Sequence, residues 1–260
     1  MSNNKCNGKE NIYIASCSFG KDSLATILLA LLHNEPLNKV IYCEVMFDNK
    51  NNISGEHPEH RDFIYNTAIP ALKKMGVEVD VVRSERDYIY YFQTPIVRGK
   101  YINKFRGFPL GGKCAINRDC KLKPIQDYYK SFPKSNIIQY VGIATDEEKR
   151  LQRLKNNQIS LLAKYGYTEQ MALDLCKQYG LLSPIYEKNK RNGCWFCPNC
   201  TYNEFSIFRK EQPHLWGMLK ELSKTPNLCS YGFKWGKTFD EVENKLNIKE
   251  NNDMEKNNKK

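Results

Sequence analysis

Patterns of buried strands and of helices alternate along most of this 260-residue chain. The strand patterns cover residues 12–18, 39–47, 77–82 and 137–144, and the helical patterns cover 22–32, 58–75, 118–132 and 168–179. Parallel strands need a crossover connection, which is usually a helix, so this alternation is typical of a parallel sheet covered by helices. We therefore predict an α/β fold with a twisted parallel sheet and helices on both of its faces.

The sequence changes character near residue 188, where the strand patterns end and a cysteine cluster begins. We predict a sheet domain over residues 11–187, followed by a small cysteine-rich and helical segment over 188–246. Residues 247–260 are mostly Asn, Lys and Glu, a composition that cannot bury enough apolar surface to fold. This predicts a disordered tail. Within the sheet domain, Pro70 predicts a kink or a split in its helix.

Composition and the N-terminal residues predict the cellular compartment of the protein and the charge of its partner. Its longest apolar run, residues 24–32, is far shorter than the roughly 18 residues of a membrane span, and its N-terminus has no apolar signal region. We therefore expect a cytoplasmic protein without a membrane partner. In a reducing cytosol its 10 cysteines do not imply disulfides. A net charge of +11 suggests a polyanionic partner, although ordinary solubility is an alternative explanation.

The sharpest local signal is the loop between the first strand and the first helix. Its residues are Ser18, Phe19, Gly20, Lys21, Asp22 and Ser23. Unpaired N–H groups and the helix dipole favour an anion at such a helix N-terminus, and glycine lets the backbone approach a phosphate. Asp22 could hold Mg²⁺ beside the phosphates. The alternative is a simple strand-to-helix turn capped by Asp22 or Ser23.

The second strong signal is a run of three cysteines at C-x-x-C-x-x-C spacing, namely Cys194, Cys197 and Cys200. Three thiolates on one loop can bind a single centre, with a fourth ligand from elsewhere. Zinc sites usually combine separated pairs, so the tight triple with Pro198 nearby favours a [4Fe–4S] cluster, with Zn²⁺ as the alternative. A structural zinc knuckle that only fixes the C-terminal segment also fits the pattern.

Basic residues interleaved with aromatic residues lie between the third and fourth strand patterns. Arg98, Lys100, Lys104 and Arg106 flank Tyr101 and Phe105. Basic side chains can pair with phosphates while aromatic rings stack on bases, so this stretch predicts contacts with nucleic acid or phosphate. The same residues could instead hold the phosphates of a bound nucleotide, or form a solvated charged surface.

The loop SFGKDS resembles the PP-loop of adenine-nucleotide alpha hydrolases, and its closest form occurs in the phosphoadenosine phosphosulfate reductase-like family. Further segments of that family are similar in the same order, at residues 47–59, 120–125 and 142–150. The resemblance covers roughly residues 12–200. It implies an adenine nucleotide across the carboxyl ends of the strands, with its phosphates at residues 18–23. Asp48 would lie on the adenosine side, and Gly142 would let the backbone pass the nucleotide.

The resemblance also assigns roles to individual residues. Lys21 and Asp22 in the loop are candidate catalytic residues, together with Asp146, Glu147 and Arg150 after the fourth strand. An acidic helix start with an ion pair to Arg150 is an equally simple explanation for the latter group. Related proteins combine a mid-chain cysteine with a C-terminal group, which implies that Cys120 is the fourth metal ligand. Cys114 is the other candidate.

Together these features predict an enzyme that cleaves ATP at the α phosphate to activate a substrate for sulfur transfer. The acceptor would be tRNA or DNA, and a separate protein could donate the sulfur. One alternative is a sulfonucleotide reductase, but the Glu-Cys-Gly-x-His segment of those enzymes is absent and Cys229 has no histidine beside it. Another alternative is a binding protein without catalytic activity, in which a metal fixes the C-terminal segment.

Overall fold

The computed structural model describes residues 9–109, 114–189 and 192–258. Its strands are β1 Glu10–Ser16, β2 Lys39–Glu44, β3 Met46–Asp48, β4 Ile53–Ser54, β5 Val79–Arg83, β6 Ser135–Tyr140, β7 Gln158–Ile159, β8 Gly232–Lys234 and β9 Lys237–Thr238. Its α-helices are α1 Lys21–Leu32, α2 Pro58–Phe63, α3 Ile69–Lys74, α4 Tyr88–Gln93, α5 Lys123–Tyr129, α6 Glu148–Leu151, α7 Leu161–Lys164, α8 Glu169–Gln178, α9 Tyr202–Glu211, α10 Pro213–Ser223 and α11 Phe239–Asn258. Ile64–Ala68 and Asn117–Leu122 are π-helical, and Pro184–Glu187 is a 3₁₀-helix.

The described residues divide into two compact units whose segments alternate along the chain. The first unit, called here the sheet unit, comprises residues 9–44, Glu56–Arg83 and Lys121–Asn192. The second, called here the cysteine unit, comprises Val45–Gly55, Ser84–Cys120 and 193–258. The division therefore differs from the sequential one at residue 188, because residues 45–55 and 84–120 belong with the C-terminal segment.

The sheet unit is built on a five-stranded sheet in the order β5-β2-β1-β6-β7. All neighbouring strands are parallel, which confirms the predicted α/β fold. Neighbouring strand residues point to opposite faces of a sheet, and here both faces carry helices. Ala15 packs in one apolar cluster with α1 and α8, whereas the Oγ of Ser16 lies 3.1 Å from the hydroxyl of Tyr129 at the end of α5.

The helix predicted over residues 58–75 is divided into α2, a π-helical segment and α3. Pro70 lies in the first turn of α3, where its missing N–H group is tolerated. The prediction of a kink or a split at this proline is therefore confirmed. Gly76 follows with a φ of +81°, a left-handed conformation that ends the helix.

The cysteine unit contains α4, α9, α10 and α11 with two short antiparallel strand pairs, β3–β4 and β8–β9. Residues 247–258, which we expected to be disordered, continue α11 as far as Asn258. Composition does not reveal an ion pair and a hydrogen bond that this part of the helix makes with α9. Glu250 lies 2.8 Å from Arg209 of α9 and accepts a hydrogen bond from Ser206, so the helix is held beyond residue 247. Across the described residues, no helix combines the length and apolar character needed to span a membrane.

The sheet unit contains a fully buried carboxylate at the end of β2. Glu44 has no exposed surface, and its oxygens accept hydrogen bonds from Nε of Arg61 at 2.8 Å and Nε of Arg83 at 2.8 Å. The hydroxyl of Tyr65 donates another at 2.7 Å. A buried charge costs a large desolvation energy unless it is paired, so these contacts stabilise the edge formed by β2 and β5.

We predict that Glu44→Ala lowers the free energy of unfolding by about 3 kcal/mol, the lower end of the range for breaking a buried ion pair, because both guanidinium groups reach solvent. Urea unfolding measures the change. Glu78→Ala is the matched control, since the Glu78 side chain is 82% exposed and lies 3.9 Å from Lys39. Equal stability of the two variants would contradict the prediction.

Candidate functional site

The loop that joins β1 to α1 is held in an unusual backbone conformation. Phe19 has a φ of +56°, which a side chain other than glycine adopts at a cost of about 1–2 kcal/mol. Its ring is fully buried and lies edge-on against Tyr42, with 5.2 Å between the ring centroids. Burial of this ring offsets the cost of the left-handed conformation. The N-terminus of α1 follows directly after this turn. Phe19 thus lies in the core rather than at the surface of the loop.

Two glycines allow other segments of the chain to approach this helix start closely. A Cβ atom at Gly142, just after β6, would lie 2.7 Å from the carbonyl carbon of Asp22 and 2.8 Å from the nitrogen of Ser23. A Cβ atom at Gly20 would lie 2.5 Å from Oδ1 of Asn192. Position 142 therefore needs glycine, because the contact is with backbone, and Gly142 brings the end of β6 directly against the first turn of α1. At position 20 the contact is with the end of the Asn192 side chain, which can turn aside.

Lys21 is a buried cation between two carboxylates. Its Nζ lies 2.8 Å from Oδ1 of Asp22 and 3.1 Å from Oε2 of Glu169, while only 9% of its side chain is exposed. Burial lowers the pKa of Lys21, but the two carboxylates outweigh it and the net pKa is raised. For Asp22, burial raises the pKa and the positive charge of Lys21 lowers it. The net pKa of Asp22 is raised, because the negative charges of Glu169 and Glu147 act in the same direction as burial.

Side chains from other segments of the chain hold the loop between β1 and α1 in position. The hydroxyl of Tyr186 accepts a hydrogen bond from the backbone N–H of Lys21 at 2.9 Å. Nδ2 of Asn192 donates to the carbonyl oxygen of Ser18 at 3.0 Å, and Nε2 of His60 lies 3.2 Å from the same oxygen. The position of the loop therefore depends on residues far away in the sequence.

These side chains line a cavity of about 440 Å³. Its lining residues are Ser18, Gly20, Lys21, Asp22, Ser23, Gly142, Glu147, Arg150, Glu169, Tyr186 and Asn192. The cavity lies beyond the carboxyl ends of β1 and β6, which are neighbours in the sheet. Strands β2 and β5 lie on one side of this pair and β7 on the other. Parallel sheets bind ligands at such a switch point in strand order.

The sequence predicts most, but not all, of the residues that line this cavity. It indicates Gly142, Glu147, Arg150 and every loop residue except the buried Phe19, and the structure brings these together, with Arg150 paired to Glu147. It did not identify Glu169, Tyr186 or Asn192. Glu169 follows the N-cap Thr168 and had the pattern of a helix start, whereas Tyr186 and Asn192 lie in segments without a recognisable motif.

Three residues predicted for the nucleotide site do not line the cavity: the buried Phe19, Asp146 and Asp48. The carboxylate of Asp146 accepts a hydrogen bond from the backbone N–H of Glu169 at 3.2 Å, so it supports the start of α8. Asp48 belongs to the cysteine unit, at the end of β3. Its carboxylate accepts hydrogen bonds from the backbone and side chain of Asn51 at 3.1 and 2.7 Å, which is the arrangement of a turn.

The three clustered cysteines lie on a loop of consecutive turns in the cysteine unit. The N–H of Cys197 donates to the carbonyl of Cys194 at 2.9 Å, and the N–H of Cys200 donates to Cys197 at 3.0 Å. The intervening Trp195 anchors the loop, because its indole N–H donates to Ser54 O at 2.9 Å. Cys200 is buried, whereas Cys194 and Cys197 are half-buried.

The two candidates for a fourth ligand differ in their surroundings. Cys120 is fully buried and its thiol donates to the carbonyl of Arg86 at 3.1 Å, whereas Cys114 is exposed. Burial raises the pKa of the Tyr88 hydroxyl well above its usual value, and Cys114, Cys194 and Cys197 raise it further. Within residues 9–109, 114–189 and 192–258, no group of three His, Cys, Asp or Glu side chains has the geometry to hold a metal ion.

The cysteine loop nevertheless has the chemistry that an iron–sulfur centre needs. Three thiols are presented within a single short loop, and the rings of Trp195 and Phe196 beside them are buried. The buried hydroxyl of Tyr88 packs against the same loop and has no hydrogen-bond partner among the described residues. A thiolate donor set with a low-polarity surround and a spare hydrogen-bond donor fits such a centre.

The predicted basic residues lie together on an exposed loop of the cysteine unit. This loop folds back on itself, because the N–H of Ile96 donates to Lys104 O at 2.9 Å and the N–H of Asn103 donates to Ile96 O at 2.8 Å. Arg98, Lys100, Lys104 and Arg106 are all exposed. Lys100 also lies 5.6 Å from the centre of the exposed Tyr101 ring.

Comparison with known proteins gives a structural similarity of limited strength. No protein-family model matches the chain, and no curated protein sequence matches it. Among solved structures, the chain is similar to the U34-tRNA thiolase NcsA from Methanococcus maripaludis with its [4Fe–4S] cluster. The two share 18% sequence identity over 89% of this chain and 78% of that one, with a TM-score of 0.41. Similarity at this level assigns neither a family nor an activity to this chain.

We predict that Gly142→Ala destabilises the sheet unit by about 1–3 kcal/mol, because the added methyl group forces two backbone segments apart. Thermal or urea unfolding measures the loss. Gly217→Ala is the matched control, since its Cβ would meet nothing within 4 Å and alanine is favoured inside a helix. A Gly142→Ala variant as stable as the unaltered protein would show that the contact is not tight.

Proposed function

We propose that this protein binds an adenine nucleotide in the cavity at the start of α1 and cleaves ATP at the α phosphate. The cleavage would activate a substrate for sulfur transfer, with tRNA or DNA as the acceptor. The observation that carries the proposal is the close contact of Gly142 with the first turn of α1 at a cavity of about 440 Å³ that Lys21 and Asp22 also line. The similarity of the loop to the PP-loop supports a nucleotide as the ligand.

The charges in the cavity support a requirement for Mg²⁺. Lys21 and Arg150 are paired with Asp22, Glu169 and Glu147, so the cations are already neutralised by carboxylates. A polyphosphate entering this cavity would meet a surplus of negative charge. A divalent cation held by Asp22 would remove this repulsion, since Mg²⁺ prefers carboxylate and phosphate oxygens.

Each residue then has a defined task. Ser18, Ser23 and the first turn of α1 would hold phosphate oxygens by hydroxyl and N–H donors. Lys21 would move from its carboxylate partners to the α phosphate and stabilise the charge that develops during cleavage. Glu147 would orient Arg150 towards the phosphates, and Asp146 would position Glu169 by supporting the start of α8.

We predict that Asp22→Asn and Lys21→Ala each reduce pyrophosphate release from ATP by at least about 100-fold, the usual cost of removing a group that stabilises the transition state. A coupled pyrophosphate assay, with and without bulk tRNA, measures the rate. Lys177→Ala is the matched control, because this exposed lysine lies at the end of α8. Undiminished release in both loop variants would disprove the proposal.

The proposed metal centre would be held by Cys194, Cys197 and Cys200, with Cys120 as the fourth ligand. Cys114 is the other candidate for the fourth position, because it raises the pKa of the Tyr88 hydroxyl together with Cys194 and Cys197. When bound, a [4Fe–4S] cluster would supply a site at which sulfur is carried or transferred. Among the described residues, no group of side chains has the geometry to hold a metal ion, so binding of the cluster would require the cysteine loop to change its conformation.

We predict that anaerobically purified protein contains about four irons and about four sulfides per chain. Cys197→Ser should lose this content, whereas Cys43→Ala should keep it, since Cys43 is a buried cysteine of β2. Cys120→Ser and Cys114→Ser, compared in the same analysis, identify the fourth ligand. One zinc ion per chain and no iron would favour the structural role instead.

The exposed loop with Arg98, Lys100, Lys104 and Arg106 is the proposed contact for the nucleic acid. Its positive charges are spaced along a folded loop with an exposed aromatic ring, which suits a phosphate backbone with a stacked base. The reductase alternative receives no comparable support. The thiol of Cys229 donates a hydrogen bond to the carbonyl of Arg106 at 3.0 Å, and no histidine stands beside it in the sequence.

A further inference from the structure

Tyr88 is held rigidly at the start of α4 in the cysteine unit. Its ring centroid lies 5.0 Å from that of Phe47 and 4.2 Å from that of Phe196. Asp87 caps the helix, because its carboxylate accepts a hydrogen bond from the N–H of Tyr90 at 2.7 Å. The position of the Tyr88 hydroxyl is therefore fixed by packing on two sides and by the helix that carries it.

This hydroxyl is buried and lacks a hydrogen-bond partner within the described residues. Only 1% of Tyr88 is exposed. Burying a polar group without a partner costs free energy, and a phenylalanine in the same place would avoid that cost. Its ring neighbours Phe47, Phe92 and Phe196 are all phenylalanines, so the hydroxyl is the polar exception in an apolar surround.

The cysteine loop lies directly beside this tyrosine. Phe196, on which the Tyr88 ring packs, stands between Cys194 and Cys197 in the sequence. The thiols of these two cysteines and of Cys114 are close enough to influence the Tyr88 hydroxyl electrostatically. A sulfur atom bound near this loop would therefore be the natural acceptor for the unpartnered donor.

We propose that the Tyr88 hydroxyl donates a hydrogen bond to a sulfur atom of the centre held by the cysteine loop. The inference rests on the iron–sulfur centre proposed above. Tyr88 is a positioning residue in this role, since it would tune the centre without binding iron. Hydrogen bonds to cluster sulfurs stabilise the reduced, more negative state and so raise the reduction potential.

The test compares Tyr88→Phe with the unaltered full-length protein, both purified anaerobically with their metal. Removing the donor should make reduction about tenfold less favourable, which corresponds to a potential about 59 mV more negative for a one-electron couple. Redox titration followed by visible and electron paramagnetic resonance spectroscopy measures the shift. Tyr90→Phe is the matched control, because this tyrosine lies on the same helix and is 43% exposed.

A second measurement detects the hydrogen bond itself, so the conclusion does not depend on the potential alone, which small changes in folding could also shift. Electron–nuclear double resonance of the reduced centre in H₂O and D₂O should show an exchangeable proton coupling that Tyr88→Phe lacks and Tyr90→Phe retains. An iron-loaded Tyr88→Phe with the same potential and the same couplings as the unaltered protein would overturn this inference alone. A protein that binds no iron would overturn both this inference and the proposed cluster, so the two failures are distinguishable.

Discussion

The close contact between Gly142 and the first turn of α1 determines the geometry of the candidate nucleotide site. Strands β1 and β6 are neighbours in the sheet, but the chain leaves them in different directions, which creates a crevice beyond their ends. A side chain at residue 142 would separate the two loops, because its Cβ would lie under 3 Å from the backbone of Asp22 and Ser23. The residues that line the cavity can converge only because this contact is so short.

Because Lys21 is buried in this crevice, its positive charge must be compensated by negative charges nearby. Lys21 is nearly inaccessible to water, and a buried ammonium group is stable only with a compensating charge. The chain supplies two carboxylates, one from the loop itself and one from α8. The same carboxylates that stabilise the empty cavity would repel a phosphate, so a ligand must bring or recruit a cation. Stability of the unliganded site and the proposed selectivity for a metal–nucleotide complex would thus have one physical origin.

Local sequence patterns predicted the features that depend on neighbouring residues. The strand-loop-helix segment around Gly20, the capped helix after Thr168 and the split at Pro70 each depend on residues within a few positions. Glu169, Tyr186 and Asn192 reach the cavity only through the folding of distant segments, so no local pattern identifies them. The length of α11 escaped prediction for the same reason, because its ion pair with Arg209 joins residues far apart in the sequence.

The aromatic core of the cysteine unit is built from all three of its segments. Residues 193–258 contribute large aromatic side chains, including Trp195, Phe196 and Phe205. Residues 45–55 and 84–120 complete the core by adding Phe47, Tyr88 and others. The same insertions contain Cys114 and Cys120, both candidates for the fourth ligand. The insertions that complete the aromatic core of the cysteine unit therefore also carry both candidates for the fourth ligand of the proposed metal centre.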